Sequence, residues 1–296
     1  MNDGMATGGG VLITGARGQL GRVTVEAARR RGLHVVGLGH AELPVEDAAV
    51  VQQAFATIRP ALVLHCAAWT DVDGCERDPA RATLVNADGT ARVADACVRF
   101  GARLVYVSTD FVFDGTARAP YRPEDAPNPI SHYGASKLAG ERHVLGHARA
   151  DFHVLRVSWV FGPGGRNFPR AILDRARSGQ PLQVVEDEVG SPSFTRDLAE
   201  AMLDLAAAHA PGGVYHACNE GVISRHRFAE DIVRLAGLRV AVGRMRATEL
   251  VRPARRPAFS ALDCGKLALV RGRTLPNYLD ALERYLGEES AGADPR

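Results

Sequence analysis

The stretch from Val11 to Gly32, VLITGARGQLGRVTVEAARRRG, narrows what this chain can fold into more than any other. A short apolar run enters three glycines, and the glycines open a helix-forming stretch. Gly15, Gly18 and Gly21 stand three residues apart. Glycine permits a tight turn and a close approach of backbone to a ligand. A helix starting there aims unpaired N–H groups at an anion in the turn. Strand, glycine turn and helix, in this order, make a candidate cradle for a dinucleotide pyrophosphate. The same residues also read as a ligand-free strand-to-helix turn, which the spacing favours less. The pattern G-x-x-G-x-x-G differs from the dehydrogenase form G-x-G-x-x-G.

Downstream, apolar runs alternate with helical stretches. His34–Leu38, Ala61–Ala67, Arg103–Thr109 and His153–Phe161 are expected as further strands, with AAWTDVDGCE a polar loop and Pro79–Phe100 a long helix. Near-continuous apolar runs suit parallel strands covered on both faces. The alternation predicts an α/β fold with a doubly wound parallel (Rossmann) sheet. After Phe161 the pattern loosens. PRAILDRARSG, Thr195–Ala208, Ser224–Ala236 and Asn277–Leu286 read as helices, PLQVVEDE and GVYHACN as strands, the latter able to rejoin the main sheet. Residues 11–166 plus 190–221 are expected to form the nucleotide domain, and 167–189 plus 222–286 a smaller, discontinuous substrate lobe over it. The polar ends, 1–10 and 287–296, read as disordered tails.

Ligands of open α/β sheets bind beyond the carboxyl ends of the strands. That singles out Ser108 and Thr109, although such hydroxyls also serve turns. Ala67 and Ala68, after the third strand, are small enough to let a flat ligand approach, or simply to pack. No acid ends the second strand, where one would bond the ribose 2′-hydroxyl of NAD. Arg17, inside the glycine turn, is placed to face a 2′-phosphate. NADPH is therefore expected, with NADH the alternative, because Arg17 also reads as a solvated loop residue and Glu42 is within reach of the ribose.

YGASK places Tyr133 and Lys137 four residues apart in a helical stretch, on one face. A free tyrosine titrates near ~10, and a neighbouring ammonium favours its phenolate. Such a pair can hand a proton to a carbonyl oxygen. Alone, Y-x-x-x-K is common, and a surface tyrosine beside a solvated lysine is its plainer reading. Beside a nicotinamide site it becomes a catalytic pair.

Other features exclude whole classes. With 36 Lys+Arg against 34 Asp+Glu, the net charge of +2 steers toward neither nucleic acid nor membrane. Five scattered cysteines without a C-x-x-C pair suggest neither a zinc site nor a disulfide framework, no metal, and a reducing cytoplasm. No apolar run approaches the ~20 residues of a membrane span, and MNDGMATGGG lacks the order of a signal peptide. His143 and His147 lack the Glu of H-E-x-x-H and read as a solvated face. RPARRP reads equally as a phosphate contact or a solvated cluster.

GARGQLG, STDFVFDG, YGASK and RVSWVFGPGGRNF, in this order, resemble the extended short-chain dehydrogenase/reductases. AAWTDVDGCE, YGASKLAGE and SWV bring the likeness closest to the dTDP-4-dehydrorhamnose reductases, from about Val11 to about Asp263. The resemblance implies NADPH-dependent reduction of the 4-keto group of a dTDP-4-keto-6-deoxyhexose. It implies that Thr109 hydrogen-bonds the ketone and that Tyr133 protonates the developing alkoxide. Lys137 would bind the nicotinamide ribose and lower the tyrosine pKa. Gly15, Gly18 and Gly21 would hold the pyrophosphate, with the Gln19 and Leu20 backbone beside them. Asp110 joins Thr109 in the substrate set, Trp159 would line the sugar pocket, and Asn167 and Arg256 would lie near the substrate nucleotide. The expected partner is the dTDP-sugar, with a homodimer left open. Pro44 stands where many relatives carry an acid near the adenine.

Other readings stay open. One is a 4-ketoreductase for a different antibiotic deoxysugar. A 4,6-dehydratase would need an Asp-Glu pair, and Asp110 is followed by Phe111. A 4-epimerase would keep its NAD tightly bound. A non-catalytic subunit like that regulating methionine adenosyltransferase has this kind of fold, but Thr109, Tyr133 and Lys137 are all present here.

Overall fold

Six strands form the central sheet of the computed structural model, which describes residues 9–208 and 210–292. They are β1 (Val11–Thr14), β2 (Val35–Leu38), β3 (Leu62–His65), β4 (Arg103–Thr109), β5 (Phe152–Val157) and β6 (Gly213–Ala217). Their order across the sheet is β6-β5-β4-β3-β1-β2, and every neighbouring pair is parallel. The winding reverses between β1 and β3. The crevice at that reversal, beyond the carboxyl ends, is where a doubly wound sheet takes its ligands. Gly15 follows β1 there, and Cys66 to Ala68 follow β3.

The period of two along each strand sorts side chains to the two faces. Leu12, Val63 and Leu104 pack with Phe55 and Val93 on one face. Val11, Ile13, Leu64 and Val105 pack with Val23, Ala27, Leu198 and Met202 on the other. Helices Ala48–Ile58 and Gly89–Phe100 cover the first face, and Gln19–Arg30 and Thr195–Ala207 the second. Each such buried Leu, Val or Phe contributes roughly 1.5–3 kcal/mol. A separate core of Phe161, Leu173, Phe194, Phe228, Ile232 and Tyr285 gathers helices Phe168–Arg177, Arg225–Leu235 and Tyr278–Gly292.

Local chemistry departs from the sequence reading in several places. AAWTDVDGCE is not all loop: Val72–Arg77 is a helix, started by Asp71, whose Oδ1 accepts from the Gly74 N–H at 2.9 Å. Ala48–Ile58, unforeseen, starts the same way on Asp47, which accepts from Ala49 N at 2.9 Å. Pro79–Phe100 is continuous but passes through a π-helical stretch at Thr83–Asp88. The expected strand His153–Phe161 breaks at Trp159, whose φ of +44° no strand can carry. Beyond the break, Val160–Phe161 pairs with Ser193–Phe194 instead. Leu182–Val185 pairs in parallel with Val242–Met245, a strand the sequence reading missed.

The closing helix runs through residues 287–292, where the polar composition predicts a tail. Ion pairs hold this extension, Arg196 with Glu288 at 2.5 Å and Arg170 with Glu289 at 2.6 Å. At the other end Gly10 accepts from Ala61 N at 3.0 Å. The rest of both expected tails, 1–8 and 293–296, lies outside the described residues.

Candidate active site

β1 delivers the chain to Gly15, whose φ of +63° is left-handed. An added Cβ there would lie 2.7 Å from the Ala67 backbone, so both conformation and space require glycine. A Cβ on Gly21 would fall 2.2 Å from the Gly15 carbonyl oxygen, so Gly21 lets the helix close on the turn. Gly18 precedes the helix with no side-chain cap, and no acid occupies the first turn. The first N–H groups therefore lack intrahelical acceptors and sit at the positive end of the helix dipole. A pyrophosphate fits this turn by charge and by clearance.

Gln19 donates to the Gly162 carbonyl at 2.8 Å and Arg22 to that of Pro163 at 2.5 Å, which ties the turn to the GPGG loop. Arg17 reaches out to the end of β2 and pairs with Glu42, which also accepts from Gly39 N at 3.0 Å. The two candidates for the adenine ribose are thus each other's partner.

From the turn a cleft of about 1070 Å³ runs to the lobe. Thr109, Tyr133 and Lys137 are all buried and all line it. Ser131 caps the helix His132–Gly146, accepting from Gly134 N at 3.2 Å. A Cβ on Gly134 would lie 2.1 Å from the Phe111 carbonyl oxygen, so this helix is pressed against the segment that follows Thr109. The Tyr133 ring meets Phe111 edge-on at 5.5 Å.

Lys137 donates to the Val107 carbonyl at 2.7 Å and stands 4.3 Å over the Tyr106 ring. Burial brings its ammonium down to about 7, against the pull of Glu141 one turn along. Burial holds the Tyr133 phenol well above its usual range, and the neighbouring Thr109 hydroxyl opposes this without reversing it. The ammonium is engaged by β4, and desolvation dominates at the phenol. A phenol kept neutral is a proton donor. Ser108, the other strand-end hydroxyl, donates to Glu141 at 2.5 Å, and Glu141 forms a buried two-point pair with Arg156 at 2.9 and 2.7 Å. Its role is to brace the helix.

At the lobe end, buried Asp110 accepts from Thr109 at 3.0 Å and from Ser158 at 2.9 Å. Burial raises its carboxyl above the ordinary range, and hydroxyls from Ser260, Ser158 and Thr109 moderate the shift. Trp159, held in its left-handed conformation, lies against Gly190, where a Cβ would be 2.5 Å from the ring. The Arg225 guanidinium covers the ring at 3.5 Å. Backbone strain of this kind persists only where surroundings enforce it. Arg256 lines the cleft but is bound to Asp73 at 2.6 and 2.9 Å, and Arg252 pairs with Glu188. RPARRP is thus neither free nor fully solvated.

Two expected site residues do other work. Asn167 caps helix Phe168–Arg177: its Oδ1 accepts from Arg170 N at 2.9 Å and its Nδ2 donates to the Gly162 carbonyl at 2.8 Å. That engages both ends of the amide at the start of the helix. Ala67 backs Gly15, while Ala68 faces the cleft with Gly18, Gln19, Leu20 and Gly21.

Other residues had been missed. Asn86, buried in the π stretch, accepts from Trp69 N at 2.8 Å and donates to the Trp69 carbonyl and Ser136 at 3.1 Å. It locks the loop after β3 to the Tyr133 helix. Its only signal is an asparagine inside a helical run, which that residue disfavours. Among the described residues no three His, Cys, Asp or Glu side chains are placed to hold a metal, and no helix is long and apolar enough to cross a membrane.

Comparison with known proteins places this geometry in context. The RmlD substrate binding domain family matches residues 9–290. A dTDP-4-dehydrorhamnose reductase of Streptomyces griseus is 41% identical over 259 residues, covering 85% of this chain and 84% of its own. A probable dTDP-4,6-dihydroxy-2-methyloxan-3-one 4-ketoreductase of Streptomyces antibioticus is 39% identical over 257 residues, 85% of each chain. The structure of a Bacillus anthracis dTDP-4-dehydrorhamnose reductase in complex with NADP superposes with a TM-score of 0.89 at 34% identity, covering 94% of this chain and 98% of that one.

Proposed function

The chain belongs to the RmlD substrate binding domain family, and from that premise we propose that it reduces the 4-keto group of a dTDP-4-keto-6-deoxyhexose with NADPH. One observation supports this above the rest. The glycine turn, the buried Thr109 and Tyr133, Lys137 and Trp159 all open into a single cleft. The cofactor, when bound, supplies a hydride. Gly15, Gly18 and Gly21, with the backbone of Gln19 and Leu20, receive its pyrophosphate, and Arg17 leaves Glu42 for the 2′-phosphate. Ala67 and Ala68 set the depth of that end of the cleft.

At the ketone, oxygen charge develops as reduction proceeds. Thr109 turns its hydroxyl from Asp110 to donate to that oxygen, and Tyr133 gives it its phenolic proton. Burial keeps the phenol protonated until it is needed. Lys137 holds the nicotinamide ribose, and the sugar lies along Trp159 near Asp110. Arg256, braced by Asp73, closes the nucleotide end. Phe111 fills the place where a dehydratase needs its second carboxylate, and its ring packs edge-on against Tyr133. The Streptomyces antibioticus relative favours one second reading, a 4-ketoreductase acting on another dTDP-deoxysugar with the same residues. The cytoplasm suits five free thiols.

Mixing the purified protein with NADPH and a panel of dTDP-4-keto-6-deoxyhexoses tests the assignment. One equivalent of NADPH is consumed per sugar alcohol formed, and UDP-glucose consumes none. Tightly held NAD that survives purification and returns unchanged would instead make the protein an epimerase.

A further inference from the structure

Five arginines line the cleft. Arg252 and Arg256 are held by Glu188 and Asp73. Arg175 donates to the Pro181 carbonyl at 2.7 Å, and Arg166 is exposed to water. Arg225 differs from all four. It is half-buried, at the start of helix Arg225–Leu235, with its guanidinium 3.5 Å over the Trp159 ring and 5.0 Å from that of Phe168. Among the described residues the guanidinium has neither a hydrogen-bond nor an ion-pair partner. The two carboxylates near enough to act on it, Glu188 and Asp110, are engaged by Arg252 and by Thr109 and Ser158. Its charge is disfavoured by burial, which brings it down to about 10.

A half-buried guanidinium that lines a cleft, lies on an aromatic ring and has no acceptor of its own is an incomplete site. At 3.5 Å from the Trp159 ring the guanidinium is held in place by contact rather than by hydrogen bonds, and its donor fork stays unspent. That fork matches two phosphate oxygens. The anion can be identified by elimination. The cofactor's phosphates belong to the glycine turn and to Arg17, away from Trp159. The substrate of the proposed reaction brings one other anion, its diphosphate, joined through a neutral sugar to the ketone at Thr109.

We propose that Arg225 grips the diphosphate of the sugar nucleotide, with the Trp159 ring as its backing. This rests on the function proposed above and adds the residue that reads the nucleotide's charge. Trp159, which lines the same cleft, then serves both parts of the substrate, bordering the sugar and backing the arginine.

The test compares dTDP with thymidine as ligands of the NADP-loaded protein, by titration calorimetry, for wild type and Arg225→Gln. Loss of the charged fork weakens dTDP by about tenfold to a hundredfold, while thymidine and NADPH change less than about twofold. In turnover, KM for the keto sugar rises by a similar factor and kcat moves far less. Unchanged dTDP affinity overturns the proposal. So does an equal loss for dTDP and thymidine, because that is a collapsed Trp159 pocket rather than a lost anion contact. Should Arg225→Gln fail to fold, Arg225→Lys keeps the charge without the planar fork. It must still weaken dTDP selectively, and unchanged dTDP affinity there overturns the proposal equally. The two claims fail separately. A wild type that binds dTDP but never oxidises NADPH sinks the reaction alone. Turnover with an indifferent Arg225→Gln sinks the diphosphate grip alone. A wild type that does neither sinks both.

Discussion

The two ends of the cleft are built on opposite plans. At the glycine turn the cleft meets backbone, and side chains are absent where it does: a single Cβ on Gly15 would collide with Ala67. At the lobe end the cleft meets charged side chains brought from remote parts of the chain. Arg256 meets Asp73 across 183 positions, and Arg225 stacks on Trp159. A backbone cradle has no tolerance for an added atom. A side-chain cluster gives way one contact at a time. The difference predicts how each end fails.

The largest effect belongs where the ends meet. Tyr133→Phe removes the proton donor and lowers kcat by about a thousandfold, with NADPH affinity unchanged in a fluorescence titration. A variant that keeps a tenth of the activity would show that the phenol is not the donor. Next comes the cradle. Gly15→Val, barred by φ and by contact with Ala67, weakens NADPH by at least about a hundredfold. Binding of dTDP at the other end changes little. Equal loss of both ligands would break the two-plan comparison.

Smaller again is Arg256→Ala. It removes a half-buried side chain from the wall and raises KM for the keto sugar by about tenfold, leaving KM for NADPH alone. The last effect is a pH dependence of stability rather than of turnover or binding. Lys137 has its folded pKa lowered from 10.5 to about 7, so the folded state binds fewer protons than the unfolded one between those values. Stability of the cofactor-free protein therefore rises with pH across that window. Below about pH 7 the buried ammonium exerts its full destabilising effect, and near pH 10 it exerts almost none. Scanning calorimetry of Lys137→Met against wild type should show an advantage for the variant at pH 7 that closes toward pH 10. A constant gap would mean that Val107 and Glu141 compensate the charge fully.

The same contrast explains what could be read from residues alone. The glycine turn, β4 with Thr109 at its end, and the Tyr133–Lys137 turn are local patterns, and each depends on residues a few positions apart. The reversal between β1 and β3 then follows from alternation and brings them to one crevice. The lobe end carries no such pattern. Nothing in RVSWVF stops the apolar run at Trp159; the ring there packs on Gly190 and Arg225, which lie far along the chain. Arg225 sits in a helix start with no motif, and only its lack of a partner in three dimensions marks it. Asn167 carries a local signal too, since an asparagine followed by Phe-Pro suits a helix cap. Lys137 was placed on the correct face, but the Val107 carbonyl that engages it belongs to a strand thirty positions away.

The most direct trial of the account is isotopic. With NADPH deuterated at the transferable position and a dTDP-4-keto-6-deoxyhexose, NMR of the product should show one deuterium at C4 of the sugar for each NADPH consumed. Deuterium at any other carbon, or NADPH left unspent while the sugar changes configuration, would contradict it.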